Sequence, residues 1–248
     1  MPPDDTPARA LAVYAHPDDA EVAAGGTLAR WADAGCSVWL LVVAQGDKGT
    51  ADPDADLAAL AEQRVDETAR AAELLGFAGH EHLGYPDGEV PDTRELRGAI
   101  VRVVRAQRPD VVLCPDPTSV LFGDGYFNHH DHRVTGWATL DAVAPAAANP
   151  HYFPEQIGSD DLSVHQVAAV YLTGTLEPNT WVDIGDTLER KIDALFCHSS
   201  QLTDAGDWFR QFLRDRAADA GTGTPGRHAP GAAAVRYAEA FRRLNFAV

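Results

Sequence analysis

The stretch Ala15-His16-Pro17-Asp18-Asp19-Ala20-Glu21 stands where an apolar run gives way to a helical pattern. Leu11, Val13 and Tyr14 before it read as a short buried strand, and Gly25 and Gly26 followed by 27–34 read as the opening of a helix. One imidazole and three carboxylates therefore fall on a strand-to-helix turn. In an open α/β sheet such turns line the crevice at the carboxyl ends of the strands, where ligands bind. Burying several carboxylates together is costly unless a cation or hydrogen-bond donors neutralise them, so the simplest occupant is a metal ion.

Outward from that turn, strand and helix patterns alternate. Residues 37–43 form an almost continuous apolar run, as a parallel strand buried on both faces does, and 45–50 (Gln-Gly-Asp-Lys-Gly-Thr) supply a second polar loop at its carboxyl end. A helical pattern over 51–75 stops at Gly76, and Arg64 and Glu67 lie three apart on it, as a surface ion pair or as ligand contacts. A short strand at 81–83 leads into Gly84-Tyr85-Pro86-Asp87-Gly88, whose Pro-Asp-Gly is strong turn chemistry. An amphipathic helix over 96–107 precedes a strand at 111–114. The repeated alternation predicts a single domain over 1–248 with a Rossmann-like, mostly parallel sheet, right-handed crossovers and helices on both faces.

The loop 115–128 is long for a compact domain and delivers His129-His130-Asp131-His132 to a helix expected over 134–143. Residues 145–165 read as a surface excursion, 167–172 and 181–182 as strands, and 188–196, 208–218 and 235–244 as helices. A Gly/Pro/Ala-rich loop over 221–231 is expected to be mobile, and His198 and Gln201 are read as caps of a helix end.

Composition removes several classes of function. Against 20 Lys plus Arg stand 37 Asp plus Glu, a net charge of −17 that repels phosphate backbones and anionic membrane surfaces, so nucleic acid is not expected as a partner. No run approaches the roughly 18 apolar residues of a membrane span. Met1-Pro2-Pro3-Asp4-Asp5 lacks the pattern of a signal peptide, and a soluble cytoplasmic protein is expected. Cys36, Cys114 and Cys197 are odd in number and outside any C-x-x-C pattern, which argues against disulfides, with Cys114 a buried core thiol. The abundance of Ala, Arg and Asp fits a GC-rich bacterial genome.

Loops after the first and fourth strands of a parallel sheet converge on one crevice, so His16, Asp18 and Asp19 can face His129, Asp131 and His132. Two His and one carboxylate with an open position form the ligand set of hydrolytic zinc sites. Metal-bound water attacking an amide carbonyl, a carboxylate taking its proton and a further His stabilising the oxyanion complete that chemistry.

His16-Pro17-Asp18-Asp19 with Glu21, and His129-His130-Asp131-His132 downstream, resemble the GlcNAc-phosphatidylinositol de-N-acetylase family, also called PIG-L or LmbE-like. The likeness extends through Gly25-Gly26-Thr27, 46–50, Arg64-x-x-Glu67, 85–88 and Lys191 to His198-Ser199-Ser200-Gln201. The resemblance implies a Rossmann-like fold and a zinc-dependent N-deacetylase, with iron(II) suiting the same donors. It implies His16, Asp19 and His132 as metal ligands, Asp18 as general base, His129 as electrophile or acid, and Asp131 as the carboxylate that orients His129. Arg64 and Asp87 would contact the sugar hydroxyls. His130 stands where members commonly carry a non-His residue and is read as exposed or structural, while Tyr126 and Phe127 lie near a place where some members use a tyrosine.

The function expected is removal of acetyl from an N-acetylglucosamine-like sugar or its conjugate. Its alternatives are a mycothiol-conjugate amidase of the same family, a metal phosphoesterase, or a non-catalytic Rossmann-like binding module. The partner expected is a small N-acylated sugar, with homo-oligomerisation left open.

Overall fold

An apolar run without polar alternation has no face to give to water, and β1 (Arg9–Tyr14) accordingly lies inside a sheet. The computed structural model describes residues 6–158, 160, 162–202, 206–224 and 235–246. From β1 the chain runs through α1 (Asp19–Asp33), β2 (Ser37–Ala44), α2 (Leu57–Leu75), β3 (Gly79–Tyr85), α3 (Arg94–Gln107) and β4 (Val111–Pro115). A hairpin of β5 (Leu121–Phe122) and β6 (Tyr126–Phe127) precedes α4 (His130–Asp141), a wider turn over Ala142–Ala147 and α5 (Pro154–Gly158). The rest is β7 (Ala169–Thr173), β8 (Thr180–Asp183), α6 (Leu188–Leu195), α7 (Ser199–Leu202), α8 (Gly206–Thr222) and β9 (Ala238–Asn245).

The sheet order is β3-β2-β1-β4-β7-β9-β8, with β3, β2, β1, β4 and β7 parallel and β9 antiparallel to both β7 and β8. From β1 the chain steps to β2 on one side and later returns to β4 on the other. That reversal opens a crevice above the carboxyl ends of β1 and β4, the position where open α/β sheets bind ligands. Side chains alternate through the sheet: Leu11 and Val13 pack with Ile100, Val104 and Val143 on one face, while Ala12 and Tyr14 pack with Leu28 and Trp31 on the other. This is the mixed α/β, mostly parallel single domain that the alternation predicts. No helix among the described residues is long and apolar enough to cross a membrane.

Among the boundaries that differ from the sequence reading, three helix starts have a local reason. Helix α1 begins at Asp19, so Gly25 and Gly26 lie inside it, where they serve close packing: a Cβ on Gly26 would lie 2.8 Å from the Ile184 side chain. Helix α2 begins at Leu57, where the Asp56 carboxylate accepts from the Ala58 and Ala59 amides, and it ends as expected at Gly76 with φ 78°. Helix α4 begins at His130, which puts Asp131 and His132 in its first turn. A Cβ on Gly136, one turn further, would lie 2.5 Å from the Pro115 carbonyl oxygen, so the glycine lets α4 press against the end of β4.

Two segments are corrected outright. Residues 145–165 are no mere surface excursion: the buried Arg105 guanidinium donates to the carbonyls of Ala146, Ala147, Asn149, Tyr152 and Phe153 and draws the segment onto α3. The helix read over 235–244 is strand β9, which fills the gap between β7 and β8. Its Ala, Glu, Arg and Leu residues favour a helix locally, but pairing satisfies two strand edges at once and overrides that preference. The loop read over 221–231 lies, from 225 onward, outside the described residues.

Strand β9 also carries Glu239, which with Lys191 clamps α1. The Glu239 carboxylate accepts from the amides of Gly26 (3.0 Å) and Thr27 (2.7 Å) and from Lys191 Nζ (2.6 Å), which also donates to the Val22 carbonyl (3.0 Å). Both side chains are buried. Replacing Glu239 with Ala strands a buried ammonium, and we expect a loss of about 3–5 kcal/mol in urea denaturation; an unchanged midpoint would show that the clamp contributes nothing.

Candidate metal centre

The tight turn after β1 forces Asp18 into a left-handed conformation (φ 95°, ψ −25°), uncommon for a residue with a side chain and typical of functional sites. Asp18 precedes α1 without capping it. Instead Asp19 Oδ2 accepts the His16 backbone N–H at 2.9 Å, closing the turn so that His16 and Asp19 face the same space. From across the switch point, the first turn of α4 brings His132 to meet them.

The three side chains form a small triangle. His16 Nδ1 lies 3.3 Å from His132 Nε2 and 3.5 Å from Asp19 Oδ2, and His132 Nε2 lies 3.2 Å from Asp19 Oδ1. Ligands roughly 2.0–2.1 Å from a tetrahedral ion stand about 3.3–3.4 Å apart. The outer nitrogens of both rings are engaged by acceptors. His16 Nε2 donates toward Asp131 Oδ2 (3.2 Å) and Asp87 Oδ1 (3.0 Å), and His132 Nδ1 donates to Asn128 Oδ1 (3.1 Å). With those protons so placed, His16 Nδ1 and His132 Nε2 face each other as lone pairs, an arrangement that calls for a cation between them.

The electrostatics agree. Burial works against a charged His16, yet the carboxylates of Asp131, Asp19 and Asp87 drive it up to about 12. Burial likewise opposes an ionised Asp19, but His132 and His16 hold its carboxyl well below the usual range. His132 is pushed up by Asp19 against the effect of burial. The carboxylates of the crevice thus favour positive charge at the imidazoles. The spacing and donor types of His16, Asp19 and His132 fit those of a site for a divalent metal.

Asp18 sits beside this triangle. Burial first and the neighbouring Asp19 second raise its carboxyl to about 7, while Arg64 acts in the opposite sense. Arg64 does not form the expected pair with Glu67, nor does it face the cleft. It is 3% exposed, and its guanidinium donates to Asp18 Oδ2 (3.1 Å), the Pro17 carbonyl (2.7 Å) and the Gly46 carbonyl (2.9 Å). Arg64 therefore holds the turn that carries Asp18. Glu67 accepts from Ser199 and Ser200, and Gln201 donates to the Gly49 carbonyl, so 199–201 tie α2 and the loop after β2 together rather than capping a helix. Behind Asp18, the buried His198 and Glu21 face each other at 3.6 Å.

Asp131 is also corrected. Its carboxylate accepts from the Gly88 (2.7 Å) and Val90 (3.2 Å) amides and from His16, so it orients His16 and not His129. His130 points to the same loop, its Nε2 donating to the Val90 carbonyl at 2.8 Å. The loop after β3 is in this way pinned to the start of α4, which presents Asp87 to His16. His129 stacks against His132 with ring centroids 4.0 Å apart, and burial and the two neighbouring imidazoles lower its pKa. Asn128, four residues before His132, was missed in the sequence; its place at the end of a long loop just ahead of the His cluster was the available signal. Cys114 is a fully buried thiol whose pKa burial raises, as expected of a core residue.

An open, mostly parallel sheet with an imidazole and carboxylate triangle at its switch point, and a raised carboxyl beside it, places the chain among α/β proteins with a site suited to a metal. The PIG-L family profile, described as GlcNAc-PI de-N-acetylase, matches residues 11–143, and the chain belongs to that family. It is 35% identical over 224 residues to the diacetylchitobiose deacetylase of Thermococcus kodakarensis, covering 90% of this chain and 81% of the relative. Among solved structures, the N,N'-diacetylchitobiose deacetylase of Pyrococcus horikoshii superposes with a TM-score of 0.85 at 31% identity, covering 98% of this chain and 86% of that one. The 4-carboxy-2-hydroxymuconate hydratase GalB of Pseudomonas putida shares the fold, with a TM-score of 0.79 at 21% identity and 97% of each chain covered. A hydratase on the same scaffold shows that the chemistry must be argued from the site.

Because Asp131 fixes the His16 ring, Asp131→Ala is expected to weaken metal affinity about 10–100-fold, as loss of a carboxylate behind a ligating His does. Competition with a chromophoric chelator measures this, and equal affinity in the variant would remove Asp131 from the account.

Proposed function

We propose that this chain is a metal-dependent N-deacetylase that hydrolyses the acetamide of an N-acetylglucosamine-like amino sugar, with zinc as the metal and iron(II) suited to the same donors. The observation that carries the reading is the pair of imidazole nitrogens turned toward each other at 3.3 Å beside Asp19, with Asp18 adjoining. When bound, the metal supplies Lewis acidity and lowers the pKa of water.

The residues of the chain supply the rest. The Asp18 carboxyl, at about 7, is matched to accept a proton from attacking water near neutral pH and to release it again. Arg64 keeps that carboxylate aimed into the crevice. His129, kept neutral by burial and by its imidazole neighbours, is placed to donate its N–H to the oxygen on which charge develops. The water oxygen adds to the carbonyl carbon, the C–N bond breaks, and the proton held by Asp18 passes to the amine, leaving acetate and the free amino sugar. Asp87, about a fifth exposed, touches His16 through one oxygen and can offer the other to a sugar hydroxyl. The two relatives named as diacetylchitobiose deacetylases support an amino sugar as the substrate class.

With zinc-loaded protein, amine release from N-acetylglucosamine and N,N'-diacetylchitobiose is expected. Asp18→Asn should lower kcat at least about 100-fold, the scale of a lost general base, while zinc content stays at the wild-type level. Full activity in that variant would overturn the role of Asp18, and no amine from either sugar would overturn the substrate class.

A further inference from the structure

A cavity of about 580 Å³ adjoins the metal centre, with Asp19 and His132 forming one end of it. It runs away from the turn that carries Asp18, beneath the ends of β4, β7 and β9, between α8 and the β5–β6 hairpin. Its walls are mostly apolar, with Val22, Ala23, Phe122, Phe212, Leu213 and Ala217 joined by Arg216 and Tyr126. Several polar groups on its floor are already engaged. Lys191 and Glu239 bind each other and α1, Thr173 donates to the Cys114 carbonyl, and Asn128 is held between His132 and the Asp116 carbonyl. The volume far exceeds the needs of one methyl group.

An amide has one substituent on each side of the scissile bond. Asp87, which receives the sugar in the deacetylase reading, comes from the loop after β3, on the far side of β1 from the cavity. A sugar on that side sends the acyl substituent toward the cavity. The geometry points to a deacylase whose preferred substrates are amino sugars carrying an N-acyl chain longer than acetyl, with the chain seated between α8 and the β5–β6 hairpin. This rests on the deacetylase reading and extends it to the acyl side. The reaction is unchanged in kind: water adds to the acyl carbon, the C–N bond breaks, and a longer carboxylate leaves with the same free amine.

The test is kcat/KM for amine release by the zinc-loaded full chain on N-acetyl-, N-butyryl- and N-hexanoylglucosamine, with the octyl glycoside of N-acetylglucosamine alongside. Complete burial of one methylene corresponds to about a fourfold gain. We expect at least a tenfold rise from acetyl to hexanoyl, and in Ala23→Trp, which adds bulk to the wall, at least a tenfold fall in the hexanoyl-to-acetyl ratio. The wild-type series decides the matter without the variant. Turnover of the acetyl sugar that is equal to or faster than that of the hexanoyl sugar overturns the inference and leaves the deacetylase reading standing. A gain confined to the octyl glycoside assigns the cavity to the other side of the substrate and also overturns it. No amine from any of the four overturns both.

Discussion

Everything in the crevice follows from a shortage of positive charge. Asp19, Asp87 and Asp131 converge on His16, and Asp19 also faces His132. Those carboxylates drive His16 up to about 12 although burial alone would press it down. A divalent cation in the triangle would compensate the carboxylates and take the place of the proton between the two nitrogens 3.3 Å apart. Ring orientation is fixed from outside the triangle, by Asp131 and Asp87 on one imidazole and by Asn128 on the other.

The scaffold makes that convergence affordable in packing terms. The switch in strand order between β1 and β4 brings together two loops more than a hundred residues apart in sequence. Gly136 lets α4 approach β4, and Gly26 lets α1 approach the segment before α6, so the helices that carry Asp19 and His132 are both seated by close contact. The Lys191–Glu239 clamp then fastens α1 to β9, an element from the far end of the chain. One side of the crevice is thereby polar and formed by Asp18 and Asp87, the other mostly apolar and formed by α8 and the hairpin. A hydrolase of unsymmetrical amides needs just such a difference between its two sides.

The parts that were legible in the sequence are those whose signal is local. Buried parallel strands show as unbroken apolar runs, and the His and Asp residues stand at strand ends within two short stretches. What stayed hidden depends on partners distant in the chain. Arg64 and Glu67 are spaced as a helical ion pair, yet each turns to a different loop, Arg64 to Asp18 and Glu67 to Ser199 and Ser200. Asp131 is two residues from His129 but bonds to His16, because the helical first turn of α4 directs it toward β1. Strand β9 was read as a helix since its residues favour one; only the open edges of β7 and β8 decide otherwise. Arg105 gave no pattern at all, its five carbonyl partners being gathered by a segment some forty residues on.

The most direct test of the central claim is an anomalous difference map from crystals of the zinc-loaded protein, recorded at the zinc absorption edge. The account predicts one peak per chain, roughly 2.0–2.2 Å from His16 Nδ1, His132 Nε2 and an Asp19 carboxylate oxygen. A peak on the other side of the His16 ring, between Nε2, Asp87 and Asp131, would contradict it, as would a crevice that stays free of zinc at full loading.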